Sequence, residues 1–327
     1  MNISQEYLER CAAETGFQIG PLEKVARLGE MASHLARHPI LGESLILKGG
    51  TALNLCFGTP KRLSVDLDFN YISHVDREKM LKDRPLIDDA ATELSRRLGY
   101  LVQRSADAFA GRKLFLSYRS VLQQNERIEI DINYLFRTPI SDIERHELWQ
   151  PGALDRPKIR IVGITELVIG KLLAFLDRGA VRDIWDVANF SPRISKLLKS
   201  GIFRARFIAL SAILEHPLPT YSLKRLKLHF DESSVDQLLL PLIIGESSIK
   251  LKKIADRAWE VVEPLLILKP DEKDYLTSIE NGEIRPEKLF PKNPKEARKF
   301  ASHPAILWKV ANVRAHLTKK SRGHRNL

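Results

Sequence analysis

The chain has 327 residues, of which 44% are apolar and 28% charged, and its formal net charge is +11. This composition is that of a globular protein, which excludes a wholly disordered chain and a collagen-like repeat, and the length predicts two domains. Two cysteines cannot form a disulfide framework, the apolar runs are too short to cross a bilayer, and the N-terminus lacks the pattern of a secretory signal. We therefore expect a cytoplasmic protein with no membrane partner.

The first half of the chain mixes helical and strand-like patterns. Apolar residues at helical spacing predict helices over 4–15, 21–38 and 77–98, and a short helix over 51–57. Alternating or short apolar runs predict five strands, at Ser44–Leu47, Ser64–Tyr71, Tyr100–Arg104, Lys113–Tyr118 and Arg127–Leu135.

The second half changes to a helical period. Helices are predicted over 165–176 and 181–189, and the remainder reads as helices interrupted by prolines. We predict an α+β fold, with a mixed sheet and its helices in residues 1–162 and an all-helical half in residues 163–327.

The end of the chain carries most of the net charge. Residues 285–327, which we call the basic block, hold twelve Lys and Arg but only two acids, so they account for ten of the eleven net charges. Such a block is typical of a surface that binds phosphate backbones, and the alternative is a solvated tail. Ala305–Trp308 indicates that part of the block is packed, and Thr318–Leu327 is expected to be a free tail. The candidate RNA contacts are Lys288, Lys292, Lys295, Arg298, Lys299, Lys309 and Arg314.

A glycine pair stands between a predicted strand and a predicted helix. Gly49 and Gly50 would let the backbone approach a phosphate closely, and the N-terminus of the following helix would offer free N–H groups. The alternative is an ordinary turn, which the same residues would also form.

Carboxylates alternate with apolar residues in two of the predicted strands. Asp66 and Asp68 share the polar face of their strand with Ser64, and Asp131 lies on the polar face of another strand. Close carboxylates repel each other, and a divalent cation with a preference for oxygen, Mg²⁺ or Mn²⁺, relieves that repulsion. If the two strands are neighbours, the three carboxylates could hold two ions. The alternative is a solvated strand face.

Five segments together resemble the AbiEii-type nucleotidyltransferase toxins, which belong to the DNA polymerase β-like nucleotidyltransferase superfamily. The segments are Lys48–Leu53, Arg62–Phe69, Thr165–Ala174, Arg182–Val187 and His303–Arg314. The resemblance covers nearly the whole chain, and it makes residues 1–162 a nucleotidyltransferase-like domain.

The resemblance implies a cytoplasmic enzyme that transfers a nucleotide from an NTP with Mg²⁺, releases pyrophosphate, and so blocks translation by modifying the 3′ end of tRNA. It also implies a cognate antitoxin. Mapped onto this sequence, it assigns metal binding to Asp66 and Asp68 and catalysis to both of them with Lys171 and Asp186. The nucleotide-binding residues that it implies are Lys48, Gly49, Gly50, Thr51, Ser64 and Asp183. Whether Asp131 is a third metal ligand stays open.

Other chemistries find no support in the sequence. The histidines have no zinc spacing, and neither a Gly-x-Ser-x-Gly elbow nor a P-loop is present. Two alternatives remain: a transferase that modifies a protein or a small molecule, and an inactive nucleic-acid-binding protein. Phosphorylation of Ser64 beside the metal site would add negative charge and could silence the enzyme.

Overall fold

The computed structural model describes residues 3–108, 110–228, 230–246 and 248–323. Its strands are β1 Leu45–Lys48, β2 Asp66–Tyr71, β3 Leu101–Arg104, β4 Gly111–Arg119, β5 Asn125–Asn133, β6 Ile143–Glu147 and β7 Lys158–Val162. Its helices are α1 Gln5–Thr15, α2 Ile19–Arg37, α3 Leu41–Ser44, α4 Gly49–Leu55, α5 Arg77–Arg97, α6 Ile164–Arg178, α7 Val181–Ala188, α8 Pro192–Leu198, α9 Gly201–Ser211, α10 Leu223–Lys227, α11 Ser233–Leu238, α12 Leu251–Leu266, α13 Pro270–Glu280, α14 Pro294–Ala301 and α15 Pro304–Gly323.

The strands form one mixed sheet in the order β3-β4-β5-β2-β1-β7-β6. The β2–β5 and β1–β7 pairs are parallel, and the other pairs are antiparallel. The sheet and the helical C-terminal half confirm the predicted α+β class. All five predicted strands are present, whereas β6 and β7 were not predicted.

The alternation of β4 and β5 gives the sheet one core face. Leu114, Leu116, Ile128, Ile130 and Ile132 are completely buried, because successive strand residues point to opposite faces. Helices α2 and α5 pack against these strands. The face opposite to this core carries the polar residues of β2, β4 and β5.

Helix ends follow the sequence closely in the first half. The Ser4 hydroxyl accepts a hydrogen bond from the main-chain N–H of Tyr7, and Gly16 ends α1 in the left-handed conformation. The Asp76 carboxylate caps α5 by accepting from the N–H of Lys79.

The chain divides by its contacts into two units. The first consists of Met1–Leu167 with Asp231–Ile249, and the second of Val168–Phe230 with Lys250–Leu327. The sequence analysis predicted a single domain boundary after residue 162. It did not predict that Asp231–Ile249 returns to the first unit. There, the main-chain N–H of Leu63 donates to the carbonyl of Leu242 at 2.8 Å.

The end of the basic block is helical as far as the structure describes it. Helix α15 continues to Gly323, Thr318 is exposed, and residues 324–327 of the predicted free tail lie outside the described residues. None of the described helices is both long and apolar enough to cross a bilayer.

Candidate active site

The glycine pair lies directly against the carboxylates of β2. Gly49 has a φ of +72°, and a Cβ atom there would be 2.2 Å from Oδ2 of Asp68. A Cβ on Gly50 would be 3.0 Å from Oγ of Ser64. Only glycine combines this positive φ with so close an approach. The turn after Lys48 is therefore built around the Asp68 carboxylate.

Thr51 fixes this turn to the neighbouring strand. Its side chain is fully buried, and its hydroxyl donates a hydrogen bond to the main-chain carbonyl of Asp66. The Asn54 amide donates to the carbonyl of Gly50 at 3.0 Å. The Thr51 hydroxyl is therefore structural, which leaves the unbonded N–H groups of the first turn of α4 as the groups that could meet a triphosphate.

The strand register places four charged residues in one line across the sheet. Asp68 on β2 pairs with Lys48 on β1 and with Asp131 on β5, and Asp131 pairs with Lys113 on β4. We call Lys48, Asp68, Asp131 and Lys113 the carboxylate row. The expectation that the two acidic strands are neighbours, which the sequence could only infer, is thus met in the register.

A second line runs parallel to the first. Asp66 pairs with Glu129, and Glu129 pairs with Phe115 on β4. Nζ of Lys113 lies 3.5 Å from Oδ2 of Asp131 and 3.8 Å from Oε2 of Glu129. The polar face thus carries four carboxylates within two adjacent rows.

The electrostatics of this face follow from burial and crowding. Burial raises the pKa of Asp131 above its ordinary value, and the Asp68 carboxylate raises it further. Lys113 and Lys48 act in the opposite direction without cancelling the shift. By count, the four carboxylates of this face outnumber its three cations, Lys48, Lys113 and Arg127.

The donor set fits a hard divalent cation. Asp66, Asp68 and Asp131 offer only carboxylate oxygens, which are the ligands of Mg²⁺ and Mn²⁺, and a cation would relieve the repulsion between Asp68 and Asp131. Among the described residues, no three His, Cys, Asp or Glu side chains are already gathered into a metal site. The carboxylates would have to turn toward one another to share an ion.

Ser64 does not lie where the sequence placed it. Strand β2 begins at Asp66, and Ser64 is only 6% exposed, beneath Gly50. Arg62, also buried, donates from Nη1 to the carbonyl of Leu63 at 2.7 Å. The prediction that the strand begins at Ser64 is therefore wrong by two residues, and the alternative of a solvent-exposed serine is wrong because Ser64 is covered beside Gly50. Its role in nucleotide binding stays a prediction.

The second unit contains its own buried ionic cluster. Nζ of Lys171 on α6 lies 2.8 Å from Oδ1 of Asp183 and 2.8 Å from Oδ2 of Asp186, both on α7. Nε of Arg178 donates to Oδ2 of Asp183 at 2.6 Å. Lys171, Asp183 and Asp186 are all more than nine-tenths buried. We call these four residues the Lys171 cluster.

The cluster is electrically balanced. Burial alone would raise the pKa of Asp183, but Lys171 and Arg178 together hold it below its ordinary value. Two cations face two carboxylates, so the structure brings together all three residues that were predicted in this segment. In this conformation the Lys171 ammonium is occupied by carboxylates, and its contact with a phosphate stays a prediction.

Comparison with known proteins decides the family. The model of the family described as "Nucleotidyl transferase AbiEii toxin, Type IV TA system" matches residues 33–225, which is more than half of the chain. The chain belongs to the AbiEii family. It is therefore a nucleotidyltransferase and a toxin of a toxin–antitoxin system, which implies an antitoxin partner.

A solved structure supports the fold of this AbiEii-family chain. MenT4, a nucleotidyltransferase toxin from Mycobacterium tuberculosis H37Rv, superposes with a TM-score of 0.58 at 17% sequence identity, covering 94% of this chain and 99% of that one. No curated protein gives a match. The family match includes the glycine turn, the carboxylate row and the Lys171 cluster, and it ends before the basic block.

The cationic side chains of the basic block fall into two groups: some make no ion pair with a described residue, and others already donate a hydrogen bond within the protein. Lys292, Lys295 and Arg298 are exposed and make no ion pair with any described residue. By contrast, Nζ of Lys309 donates to the carbonyl of Leu214 at 2.6 Å, and Nε of Arg314 donates to that of Gly282 at 2.7 Å.

The two remaining candidates in the block stand close to acids. Nζ of Lys288 lies 3.8 Å from Oδ2 of Asp274, and Nζ of Lys299 lies 3.3 Å from Oε1 of Glu296. Only part of the predicted RNA surface of this AbiEii-family chain is therefore available to a phosphate without breaking an existing contact.

Lys113 and Glu129 are charged residues of this AbiEii-family site that the sequence analysis did not assign. Glu129 stands two positions before Asp131 in an alternating strand, which was a usable signal. The position of Lys113 opposite Asp131 depends on the β4–β5 register, in which Arg119 pairs with Asn125 across the hairpin turn. A prediction of that turn would have placed Lys113 opposite Asp131.

Proposed function

We propose that this toxin transfers a nucleoside monophosphate from an NTP to the 3′ hydroxyl of an RNA, with tRNA as the leading acceptor, and blocks translation in the cytoplasm. The observation that supports it best is the carboxylate row packed against the Gly49–Gly50 turn. A phosphate-binding backbone and uncompensated carboxylates are the two parts that transfer from a nucleotide needs.

The residues of the first unit have two roles, which are triphosphate binding and metal binding. Lys48 and the main chain of Gly49 and Gly50 bind the triphosphate. Asp66 and Asp68, with Asp131, would hold Mg²⁺ or Mn²⁺, which supplies positive charge for the transferring phosphoryl group. The acceptor 3′ hydroxyl gives its proton to solvent water and its oxygen forms a bond to the α-phosphorus. The bond from that phosphorus to the bridging oxygen breaks, and pyrophosphate leaves with its electron pair.

The Lys171 cluster contains a second cation. If an anionic phosphate draws Lys171 away, Asp183 still keeps Arg178 as a partner at 2.6 Å, whereas Asp186 gives up its ion pair with Lys171. Lys171 is therefore the phosphate-binding residue of this group. Asp183 and Asp186 position its ammonium through their ion pairs. Removing a partner from a buried pair without such a second partner would cost several kcal/mol.

The free cations of the basic block support an RNA acceptor over a small molecule. Lys292, Lys295 and Arg298 are exposed and unpaired among the described residues, and clustered exposed Lys and Arg are typical of surfaces that contact backbone phosphates. A protein acceptor, a small-molecule acceptor or plain nucleic-acid binding without transfer are the competing outcomes.

The test is an incorporation assay with purified protein. Each of the four α-labelled NTPs is incubated with Mg²⁺ and, in separate tubes, total tRNA, total soluble protein or small metabolites. We expect label in the RNA tube with a preference for particular NTPs, and none with Asp68→Asn. Label in the protein or metabolite tube alone would overturn the proposed acceptor, and RNA binding without label would overturn the proposed activity.

A further inference from the structure

The polar face of the sheet stays open beyond the carboxylates. Leu101 on β3 is 78% exposed, Lys113 on β4 is 49% exposed and Arg127 on β5 is 60% exposed, whereas the apolar residues on the other face of β4 and β5 are buried. Phe115, half-buried, lies among them on the same face. We call Leu101, Lys113, Phe115 and Arg127 the platform.

The platform is continuous with the catalytic rows. Phe115 pairs with Glu129, which pairs with Asp66, so an aromatic ring lies in the second line of the site, and Gln103 on β3 continues that line. Lys113 ends the carboxylate row beside Asp131. A ligand that reaches the carboxylates from β4 must therefore pass over these two side chains.

The ring of Phe115 already accepts a planar cation. Cζ of Arg127 lies 5.0 Å from the centre of the Phe115 ring, within the range of a cation–π contact. The Arg127 guanidinium also forms an ion pair with Glu129, in which Nη2 lies 3.1 Å from Oε1. Because this ion pair is exposed on the arginine side, it contributes little and can be exchanged. A flat group can stack on Phe115 in place of the guanidinium or next to it.

The side from which the acceptor must approach the carboxylates indicates which ligand the platform binds. The glycine turn at β1 binds the triphosphate on one flank of the carboxylates, and the platform lies on the opposite flank, on β5, β4 and β3. In phosphoryl transfer the attacking and leaving oxygens are roughly in line, so the acceptor must come from the flank away from the triphosphate.

We propose that the platform binds the unpaired terminal nucleotide of the RNA acceptor, with its base stacked on Phe115 and its phosphate on Lys113 and Arg127. This inference rests on the proposed function and adds where the acceptor binds. Only an unpaired nucleotide can present a base face to an aromatic side chain, because the bases of a duplex are stacked on one another.

The experiment compares two RNAs in a binding titration with the full chain. Both carry a 5′ fluorophore and the same stem, and one of them adds a single-stranded 3′ tail. The wild type binds the tailed RNA more tightly, and Phe115→Leu loses that preference by about tenfold in affinity, which is the size of one lost base–aromatic stack. Phe115→Tyr retains the preference. Arg127→Gln, which changes an exposed side chain, weakens binding of the tailed RNA with no loss in Tm.

Tyr118→Leu is the matched control. Tyr118 lies on the same strand but on the opposite face, and it too carries an arginine over its ring, with Cζ of Arg27 at 3.8 Å. This variant keeps the preference for the tail. Equal affinity of wild type and Phe115→Leu for the tailed RNA would overturn the proposal. A rise in the KM for NTP in Phe115→Leu, with unchanged RNA affinity, would also overturn it by assigning the ring to the incoming nucleotide.

The binding readout is independent of catalysis. A wild type that prefers the tailed RNA but transfers no nucleotide would contradict the proposed function and still support the platform. A wild type that transfers nucleotides to RNA, with no effect of Phe115→Leu or Arg127→Gln on RNA affinity, would contradict the platform alone.

Discussion

Asp68 on β2 and Asp131 on the parallel strand β5 occupy directly opposite positions in the strand register. Like charges in such positions repel each other. Burial raises the pKa of Asp131, and the charge of Asp68 raises it further. Strand pairing thus brings the two carboxylates together at the point where the glycine turn also arrives.

Asp68→Asn should remove activity and leave stability intact. The substitution takes one charge from the repelling pair and opens no core cavity, so the Tm should not fall. Stabilisation of charge by a metal supplies several kcal/mol, so kcat should fall by about a thousandfold. Asp66→Ala and Asp68→Ala should behave in the same way in a growth-arrest assay.

Metal binding has a direct readout in the same variants. Mn²⁺ should raise the Tm of the wild type, because a ligand that binds only the folded state stabilises it, and it should not raise the Tm of Asp68→Asn. Asp155→Asn, which changes an exposed carboxylate outside the site, is the charge-matched control. An equal Mn²⁺ effect in all three proteins would contradict the metal assignment.

Gly49→Ala should lower both stability and activity. Alanine at a φ of +72° is strained, and its Cβ would meet Oδ2 of Asp68 at 2.2 Å, so the free energy of unfolding should fall by more than about 1 kcal/mol. Gly245→Ala is the control, since Gly245 has a φ of +76° and nothing within 4 Å of its Cβ position. Denaturant melts of the two variants separate the clash with Asp68 from the backbone strain.

The carboxylate pattern shows how far the sequence could predict this site. The alternation of β2 and β5 was sufficient to place Asp66, Asp68 and Asp131 on polar faces. It could not establish that Ser64 is covered, because the approach of Gly50 to that side chain is a tertiary contact. The buried contacts among Lys171, Asp183 and Asp186 depend on the packing of two helices, which periodicity does not specify.

The two strands that were not predicted differ in their local signal. Strand β7 has the alternating sequence Lys-Ile-Arg-Ile-Val, which was a usable signal. Strand β6, with the sequence Ile-Glu-Arg-His-Glu, lies at the edge of the sheet and has almost no apolar face, so its pattern does not indicate a strand. The return of Asp231–Ile249 to the first unit depends on contacts between Leu63 and Leu242. These residues are far apart in the chain, and no local pattern reports such a contact.

The free energy of unfolding should depend strongly on substitutions in the Lys171 cluster. Lys171→Met leaves two buried carboxylates without their shared cation and should lower the free energy of unfolding by about 3–5 kcal/mol. Lys171→Arg, which keeps the charge, should cost less. Chemical denaturation of the three proteins at neutral pH measures both effects, and equal stability of Lys171→Met and wild type would contradict the buried ion pair.

The pKa of Asp183 gives the sign of the pH dependence. Because this pKa is lowered in the folded state, the carboxylate contributes stability above its ordinary pKa of 3.8, and that contribution is lost as the pH falls through the lower folded value. Asp183→Asn should therefore be less stable than wild type at pH 7, and the difference should shrink below about pH 4. A constant difference from pH 7 to pH 3 would contradict the assignment.

The basic block should respond differently in its two parts. Neutralising Lys292, Lys295 and Arg298 should weaken tRNA binding and flatten its salt dependence, because each lost phosphate contact removes roughly 0.7–0.9 from the slope. Lys309→Met should instead lower the Tm, since its ammonium donates to the carbonyl of Leu214 and a bond of this kind contributes about 1 kcal/mol. Fluorescent tRNA titrations across a salt series, with thermal melts, distinguish the two effects. Unchanged slopes in the triple variant would mean that α14 does not face the RNA.

The most direct test of the central claim is to locate the transferred label. The wild type and Asp68→Asn are incubated with an α-labelled NTP, Mg²⁺ and tRNA, and the labelled RNA is then digested to find which nucleotide carries the label. We expect the wild type to add the label only at the 3′ end and Asp68→Asn to add none. Equal labelling by both proteins, or label at any position other than the 3′ end, would contradict transfer by the carboxylate row.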